Sequence, residues 1–317
     1  EAQGHKRLAR ALLCALALAA SGAHAERWYQ VELLIFRQAN SASSERFPAN
    51  PTLSYPTSGR FLLDDARILA NEQRYPDRPS RVDELGQQHI GLTTDIPSTD
   101  AIADANVEAQ TIDVPPGDDT EGVIEPPRPF VLLPNADQEF RGKAAYMRSR
   151  GGYQILFHET WLQPVTNKAN AIPIIIDRSG DGGQWPELQG SITLYVSRFL
   201  HIETNLWLNT PGQYFDSSWR MAPAPLGPPS LVVAVDPEAA ASVTALPTAA
   251  ELDPNEPTME EDPAAAYPYR HAVALQQKRR MRSREVHYID HPLLGVICKL
   301  TPIDFESPED TVEPGPL

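Results

Sequence analysis

Proline and acidic residues are concentrated in two long stretches of this chain, which restricts where a folded core can form. Residues 39–136 hold 12 prolines and 16 Asp or Glu against 7 Arg, and residues 210–275 hold 11 prolines and 9 acids against 2 Arg. Proline removes a backbone donor, and acid-rich sequence buries little apolar surface. We therefore expect two flexible inserts and an acidic tail, 304–317, although Arg60–Ala70 could form a short helix.

Three blocks between these stretches, 26–38, 137–209 and 276–303, carry the apolar periodicity of a folded core. Together they predict one domain over 26–303. In the first block, Arg27–Arg37 is rich in β-branched and aromatic residues, which predicts a central strand. One face of that strand holds Tyr29, Val31, Leu33 and Ile35, and the other holds Trp28, Gln30, Glu32 and Leu34.

The second block predicts a helix followed by strands. The helix is expected over Asp137–Arg150, where apolar residues recur at i, i+4 and i+7 and a Gly-Gly pair follows. Strands are expected over Tyr153–Gln163, over Ala171–Asp177, and over Leu188–Leu208 as one long strand or a pair.

The third block predicts a β-hairpin. Arg279–Tyr288 is the expected first strand, Asp290-His291-Pro292 the turn, and Gly295–Thr301 the returning strand. The order of elements indicates an α+β fold, in which one main helix packs on an antiparallel or mixed β-sheet and long disordered acidic Pro-rich inserts interrupt the blocks.

The first 25 residues have the pattern of an export signal. The basic segment Lys6–Arg10 leads into an apolar run, Leu8–Ala20, that is shorter than the ~20 residues of a membrane-spanning helix. Ala23-His24-Ala25 matches a signal-peptidase site, so we expect a mature chain that starts at Glu26 in the periplasm without a transmembrane segment.

Net charge argues against two classes of partner. The chain carries −15 at pH 7, whereas nucleic acids and anionic membranes attract clustered Lys and Arg. Because the acidic residues lie mainly in the inserts and the tail, the predicted core itself is not strongly acidic.

Four strings then resemble a known family. They are WYQVELLIF at 28–36, YQILFHETWLQP at 153–164, LQGSITLYVSRFLHIETNLWL at 188–208 and RRMRSREVHYIDHPLLGVICKLTP at 279–302. In this order, behind a signal peptide and with long variable inserts, they resemble the CsiV-type peptidoglycan-binding proteins of gammaproteobacteria. The inserts themselves carry no resemblance.

The resemblance implies a periplasmic protein that binds peptidoglycan and supports cell-wall synthesis and cell shape. It further implies partnership with a penicillin-binding synthase and the outer-membrane lipoprotein activator of that synthase. It implies no enzymatic activity, no cofactor and no catalytic residues.

A search for catalytic patterns agrees with that expectation. The chain has no G-x-S-x-G, S-x-x-K or phosphate-binding glycine loop, and its acids form no recognisable pair. Cys14 would leave with the signal, and Cys298 is expected to be a buried apolar residue. A metal-dependent wall hydrolase stays open as an alternative on four histidines, but their spacing does not establish convergence: His158, His201, His287 and His291.

Binding is the chemistry that the residues favour. Arginine pairs with peptide carboxylates, and aromatic rings stack on sugar faces. A strand over 279–288 would align Arg280, Arg282 and Arg284 on one face as a positive stripe. The full set of candidate binding residues is Arg280, Arg282, Arg284, Arg198, His201, His287, Tyr288 and Trp161.

Further alternatives remain at this point. The positive stripe could be a solvated strand face that pairs with the acidic inserts, and Trp161 could be a core residue. The chain could be a periplasmic protein–protein scaffold whose Pro-rich arms carry the interactions. In addition, Arg198 could form a buried ion pair with Glu285 or Asp290, which would make it a structural residue.

Overall fold

Two β-sheets packed face to face form the centre of the molecule. The computed structural model describes residues 27–38, 46–91, 128–150, 152–215, 218–234 and 267–303. The predicted signal peptide and the acidic tail lie outside these residues. No helix of the described ranges is long and apolar enough to cross a membrane.

The strands, numbered along the chain, are β1 Arg27–Gln38, β2 Arg60–Phe61, β3 Ser80–Val82, β4 Gln88–Ile90, β5 Tyr153–Val165, β6 Ile174–Ile175, β7 Leu188–Val196, β8 Leu200–Thr210, β9 Leu231–Val233, β10 His271–Met281, β11 Val286–Asp290 and β12 Leu294–Ile303. The helices are α1 Asp65–Arg74, α2 Arg141–Arg150 and the single turn α3 Ser179–Gly182, with a 3₁₀ turn over Asn135–Asp137.

The described strands form three sheets. The first sheet has the order β11-β12-β1-β5 and is antiparallel throughout. The second sheet has the order β10-β8-β7-β6-β2 and is antiparallel except for the parallel pair β6–β2. A small third sheet, β3-β4-β9, pairs β4 with β9 in parallel. The fold is therefore mostly β, with antiparallel and mixed sheets.

The inner faces of the first two sheets share one apolar core. Val31 and Leu33 of β1 are fully buried against residues that include Ile192 of β7 and Ile202 of β8. Burial of each such side chain contributes about 1.5–3 kcal/mol. The two-faced pattern predicted for the first block is confirmed, because the alternate residue Leu34 packs on the other side of the sheet.

Helix α2 covers the outer face of the first sheet. Phe140 and Ala144 pack there against Leu34 and Phe36. The predicted helix is confirmed, but it begins at Arg141, since the 3₁₀ turn occupies the residues expected to be its first turn.

The prediction of a flexible insert over 39–136 is wrong for 46–91 and 128–136, although the short helix considered near Arg60–Ala70 is present as α1. Part of this region forms α1, whose first turn is capped by the Asp64 carboxylate, and β2–β4. Residues 130–133 also bond to the edge of β5. Phe61 and Ile90 are buried, although the local composition is acidic and Pro-rich.

The prediction of a flexible insert over 210–275 is likewise wrong for the residues that form strands. β8 runs to Thr210, β10 already begins at His271, and β9 joins the third sheet. Composition averaged along the chain missed these elements because their partners are distant in sequence, as β4 and β9 are. Residues 92–127 and 235–266 lie outside the described ranges.

The predicted hairpin is confirmed at its turn and its returning strand, but its first strand is shorter than expected. β10 ends at Met281, a turn follows, and β11 begins at Val286, so the expected single strand is divided between the two sheets. Arg284 occupies the turn at φ 65°, and its N–H donates to the Leu300 carbonyl at 2.7 Å. The hairpin that does form is β11–β12.

Candidate functional site

The outer face of the second sheet is covered at one end and open at the other. At the covered end Trp207 is fully buried, and the Tyr55 ring meets it edge-on with a centroid distance of 4.9 Å. Asn205, two residues earlier on β8, donates its side-chain N–H to the Ser54 carbonyl at 2.8 Å. Beyond that point, Glu203 and His201 on the same face of β8 are partly exposed.

Strand register brings basic side chains to the open end. Lys278 of β10 pairs in register with Glu203, and Arg280 pairs with His201. The β7–β8 turn adds Arg198, and the loop after β5 adds Lys168, which lies beside the bridge of Asn167 to Val196. We call this region the cationic surface: Lys168, Arg198, Lys278, Arg280 and Arg282.

Glu203 organises one side of the cationic surface. Its Oε1 accepts hydrogen bonds from Lys168 Nζ and the Tyr195 hydroxyl, both at 2.8 Å, and lies 3.7 Å from Lys278 Nζ. Burial alone would raise the pKa of Glu203, but these hydrogen bonds and the two lysine charges hold that pKa below its ordinary value. Glu203 is therefore charged at neutral pH and fixes both ammonium groups beside the Tyr195 ring, 5.3 Å from its centroid.

Arg280 is held on the opposite side by an aromatic ring. Its guanidinium carbon lies 3.4 Å from the centroid of Phe199, which also lies 5.5 Å from the guanidinium of Arg198. Next to it, His201 stacks on Tyr195 at 5.0 Å and 13°. Stacking on Phe199 occupies the flat face of each guanidinium and leaves the N–H groups at its edge free of the ring. These N–H groups can therefore donate to a carboxylate that approaches from solvent.

A shallow depression of about 400 Å³ continues the cationic surface between β10 and β11. His287 Nε2 accepts the Arg282 backbone N–H at 2.9 Å, and Arg282 lies 3.4 Å from the Glu285 carboxylate. These contacts fix the turn that carries Arg282. The lining residues are Arg279, Arg280, Met281, Arg282, Glu285 and His287.

The structure brings most of the predicted binding residues together. Arg280, Arg282, Arg198, His201 and His287 line the cationic surface or its depression. They do not form the predicted one-faced stripe, because the strand ends before Arg282 and Arg284.

Two predictions need correction, and one candidate lies on another surface. Trp161 is fully buried in the core and hydrogen-bonds Gln163, so its ring cannot meet a ligand. Tyr288 stacks on Phe36, on the outer face of the first sheet, so it lies apart from the cationic surface and stays a predicted binding residue. The buried ion pair proposed for Arg198 is absent from the described residues, since Arg198 is exposed.

Sequence reasoning missed Lys168, Tyr195, Phe199 and Glu203 as parts of this site. Lys278 begins the basic run over 278–284, and its alternation with Arg280 places both side chains on one face of β10. Lys168, in contrast, reaches the site only because the loop after β5 runs beside Val196. No local sequence pattern predicts the path of that loop.

The arrangement of fixed positive groups suits anion recognition. In the part of the chain that the structure describes, no three His, Cys, Asp or Glu side chains converge to hold a metal ion. Cys298 is buried, and burial raises its thiol pKa to about 12, which keeps it un-ionised at neutral pH. The cationic surface can pair several fixed positive groups with carboxylates.

Comparison with known proteins gives one result. The model of a protein family described as "Peptidoglycan-binding protein, CsiV" matches residues 7–303. Neither the curated proteins nor the solved structures contain a match to the chain.

Proposed function

This chain belongs to the CsiV family of peptidoglycan-binding proteins, and from that premise we propose that it binds peptidoglycan through the cationic surface. Peptidoglycan stem peptides carry free carboxylates, which pair with guanidinium and ammonium groups. The supporting observation is the cluster of Arg198, Lys278 and Arg280 on an open sheet face of a chain that is acidic overall.

We further propose that the chain acts without catalysis, as an exported periplasmic accessory protein that supports cell-wall synthesis and cell shape. The expected partners are a penicillin-binding synthase and its outer-membrane lipoprotein activator. Incubation of purified sacculi with the chain should release no muropeptides, with or without a chelator. Release that the chelator abolishes would instead favour a metal-dependent hydrolase.

Co-sedimentation with purified sacculi tests the binding proposal. Arg198→Glu combined with Arg280→Glu should weaken retention roughly 10- to 100-fold, because each exposed charge contact contributes up to ~1 kcal/mol and reversal adds repulsion. Retention of the unaltered chain should also fall as salt rises.

A matched control variant tests whether the loss of retention depends on where the charge is reversed or only on the net charge of the chain. Arg81→Glu with Lys143→Glu changes the net charge equally at two exposed positions outside the cationic surface. If this control loses as much retention as the first variant, or if the first variant loses none, the cationic surface is not the contact. A chain that stays in the supernatant at moderate salt contradicts peptidoglycan binding itself.

A further inference from the structure

A row of three aromatic rings crosses the outer face of the first sheet. Tyr288 of β11 lies parallel to Phe36 of β1, with 3° between the planes and 6.2 Å between centroids. Tyr153 of β5 meets the other side of Phe36 edge-on at 5.2 Å. Phe36 is 4% exposed and forms the floor of the row, whereas Tyr288 and Tyr153 are 40% and 37% exposed.

A glycine makes this row possible. Gly295 of β12 lies in register beside Phe36, and a Cβ at that position would stand 2.2 Å from Phe36 Cζ. The absence of a side chain lets the Phe36 ring lie across the β12 backbone toward Tyr288. All three rings are thus carried by strands and held by one another, so little conformational entropy is lost when a flat ligand binds.

The edge of the row next to Tyr288 carries a carboxylate. The Tyr288 hydroxyl donates to Asp290 Oδ1 at 2.6 Å, and Asp290 is exposed. Burial and the neighbouring carboxylate raise the pKa of Tyr288, so its hydroxyl keeps the proton. A carboxylate here accepts hydrogen bonds from sugar hydroxyls and amides but repels the carboxylates of stem peptides.

The row and the cationic surface are separate sites. Tyr288 stacks on Phe36 on the outer face of the first sheet, whereas the preceding residue, His287, lines the depression of the cationic surface. Successive side chains of a strand point to opposite faces of its sheet, so the two sites lie on different faces of β11. A ligand that needs positive charge and one that needs a neutral aromatic surface would therefore bind at different places.

We propose that Tyr288 forms a platform for the apolar face of an uncharged N-acetylated sugar, that Tyr153, whose ring is nearly perpendicular to those of Phe36 and Tyr288, contacts the edge of the sugar, and that Asp290 accepts hydrogen bonds from it. The assignment deepens the proposed function by naming a glycan subsite, and it rests on that function only for the choice of an N-acetylated sugar. Amphipathic rings of this kind combine an apolar face with a polar edge, as a pyranose does.

The test is a titration of the full chain with tri-N-acetylchitotriose, followed through the aromatic ¹H–¹³C resonances of the tyrosines. The resonances of Tyr153 and Tyr288 should shift, and sodium chloride should not weaken the response. Tyr288→Ala should lower the affinity about 10-fold, the size expected for loss of one ring contact. Tyr288→Phe keeps the ring and should lose less, whereas Asp290→Asn removes the charged acceptor and should weaken binding.

Tyr146→Ala is the matched control, because Tyr146 is a 62% exposed tyrosine on α2 outside the row. An equal loss in this control, or no response of Tyr153 and Tyr288 to the sugar, overturns the platform. If the chain still sediments with sacculi in that case, the proposed function stands without it. If the sugar binds but sacculi do not retain the chain, the platform stands and the proposed function fails.

A protein occupant would give a different pattern. Self-association that Tyr288→Ala abolishes, seen in sedimentation velocity without any response to the sugar, would assign the row to a second copy of the chain and overturn the glycan assignment.

Discussion

Replacement of Glu32 by leucine should strongly destabilise the protein, because this buried carboxylate joins α2 to the first sheet. Its two oxygens accept the backbone N–H groups of Glu139 and Phe140 at 2.9 and 2.8 Å, immediately before α2. His158 Nε2 lies 2.8 Å from Oε1, and both side chains of this pair are almost fully buried.

The size of the loss follows from these contacts. Leucine would leave two backbone donors and a buried imidazole without an acceptor, and each unsatisfied buried group costs about 1–3 kcal/mol. We expect a loss of about 3–5 kcal/mol, because three buried polar groups lose their hydrogen-bonding partner at once. Glu32→Gln retains an acceptor oxygen and should lose about 1–2 kcal/mol.

Urea unfolding followed by far-UV circular dichroism and by tryptophan fluorescence measures the effect, since Trp161 is fully buried in the core. Glu139→Gln is the control, because it removes only the partly exposed ion pair with Lys299 and should change stability by no more than about 1 kcal/mol. A Glu32→Leu variant within ~0.5 kcal/mol of the unaltered chain would refute the proposed role of this carboxylate.

Three further predictions concern packing and pH. Gly295→Ala should cost about 1–3 kcal/mol in thermal unfolding because its Cβ would overlap Phe36, whereas Gly142→Ala, with nothing within 4 Å of its Cβ, should cost nothing. Burial raises the pKa of Cys298 from 9.0 to about 12, so the native thiol keeps a proton that the unfolded chain loses. The contribution of this thiol to the free energy of unfolding should therefore fall by up to ~1.4 kcal/mol per pH unit as pH rises from 9 to about 12. In urea unfolding measured at several pH values, Cys298→Ala should lose less stability over this range than the unaltered chain. Because the pKa of Glu203 is lowered in the folded chain, its pairing stabilises the fold above pH ~4.5 and is lost as pH falls further; unfolding of Glu203→Gln should be less sensitive to acid over that range.

Local pattern was sufficient to locate most strands. The alternation in 27–37 identified β1 and both of its buried faces, and the periodicity of 137–150 identified α2. Side-chain direction repeats every two residues in a strand and about every 3.6 residues in a helix, so these elements leave a direct trace in the order of residues. The family resemblance was likewise carried by these blocks, and the family match over 7–303 confirms it.

Local pattern could not supply the partners of each strand. The basic run of the third block alternates as one strand would, yet β10 joins the second sheet and β11 joins the first. The alternation of β1 places Glu32 on the face opposite the main core, where a carboxylate is expected to be exposed. In the structure it is buried and contacts His158. Tyr288 is adjacent in sequence to His287 but faces a different surface.

The sequence by itself therefore determined the family, the export pattern expected at the N-terminus, and which segments alternate as strands. Only the tertiary structure decided which half of the second sheet stays open, and hence where Lys168, Arg198 and Arg280 gather. The physical reason is that a strand's periodicity sets which way its side chains point. What those side chains meet depends on hydrogen-bonded pairing between segments far apart in the chain.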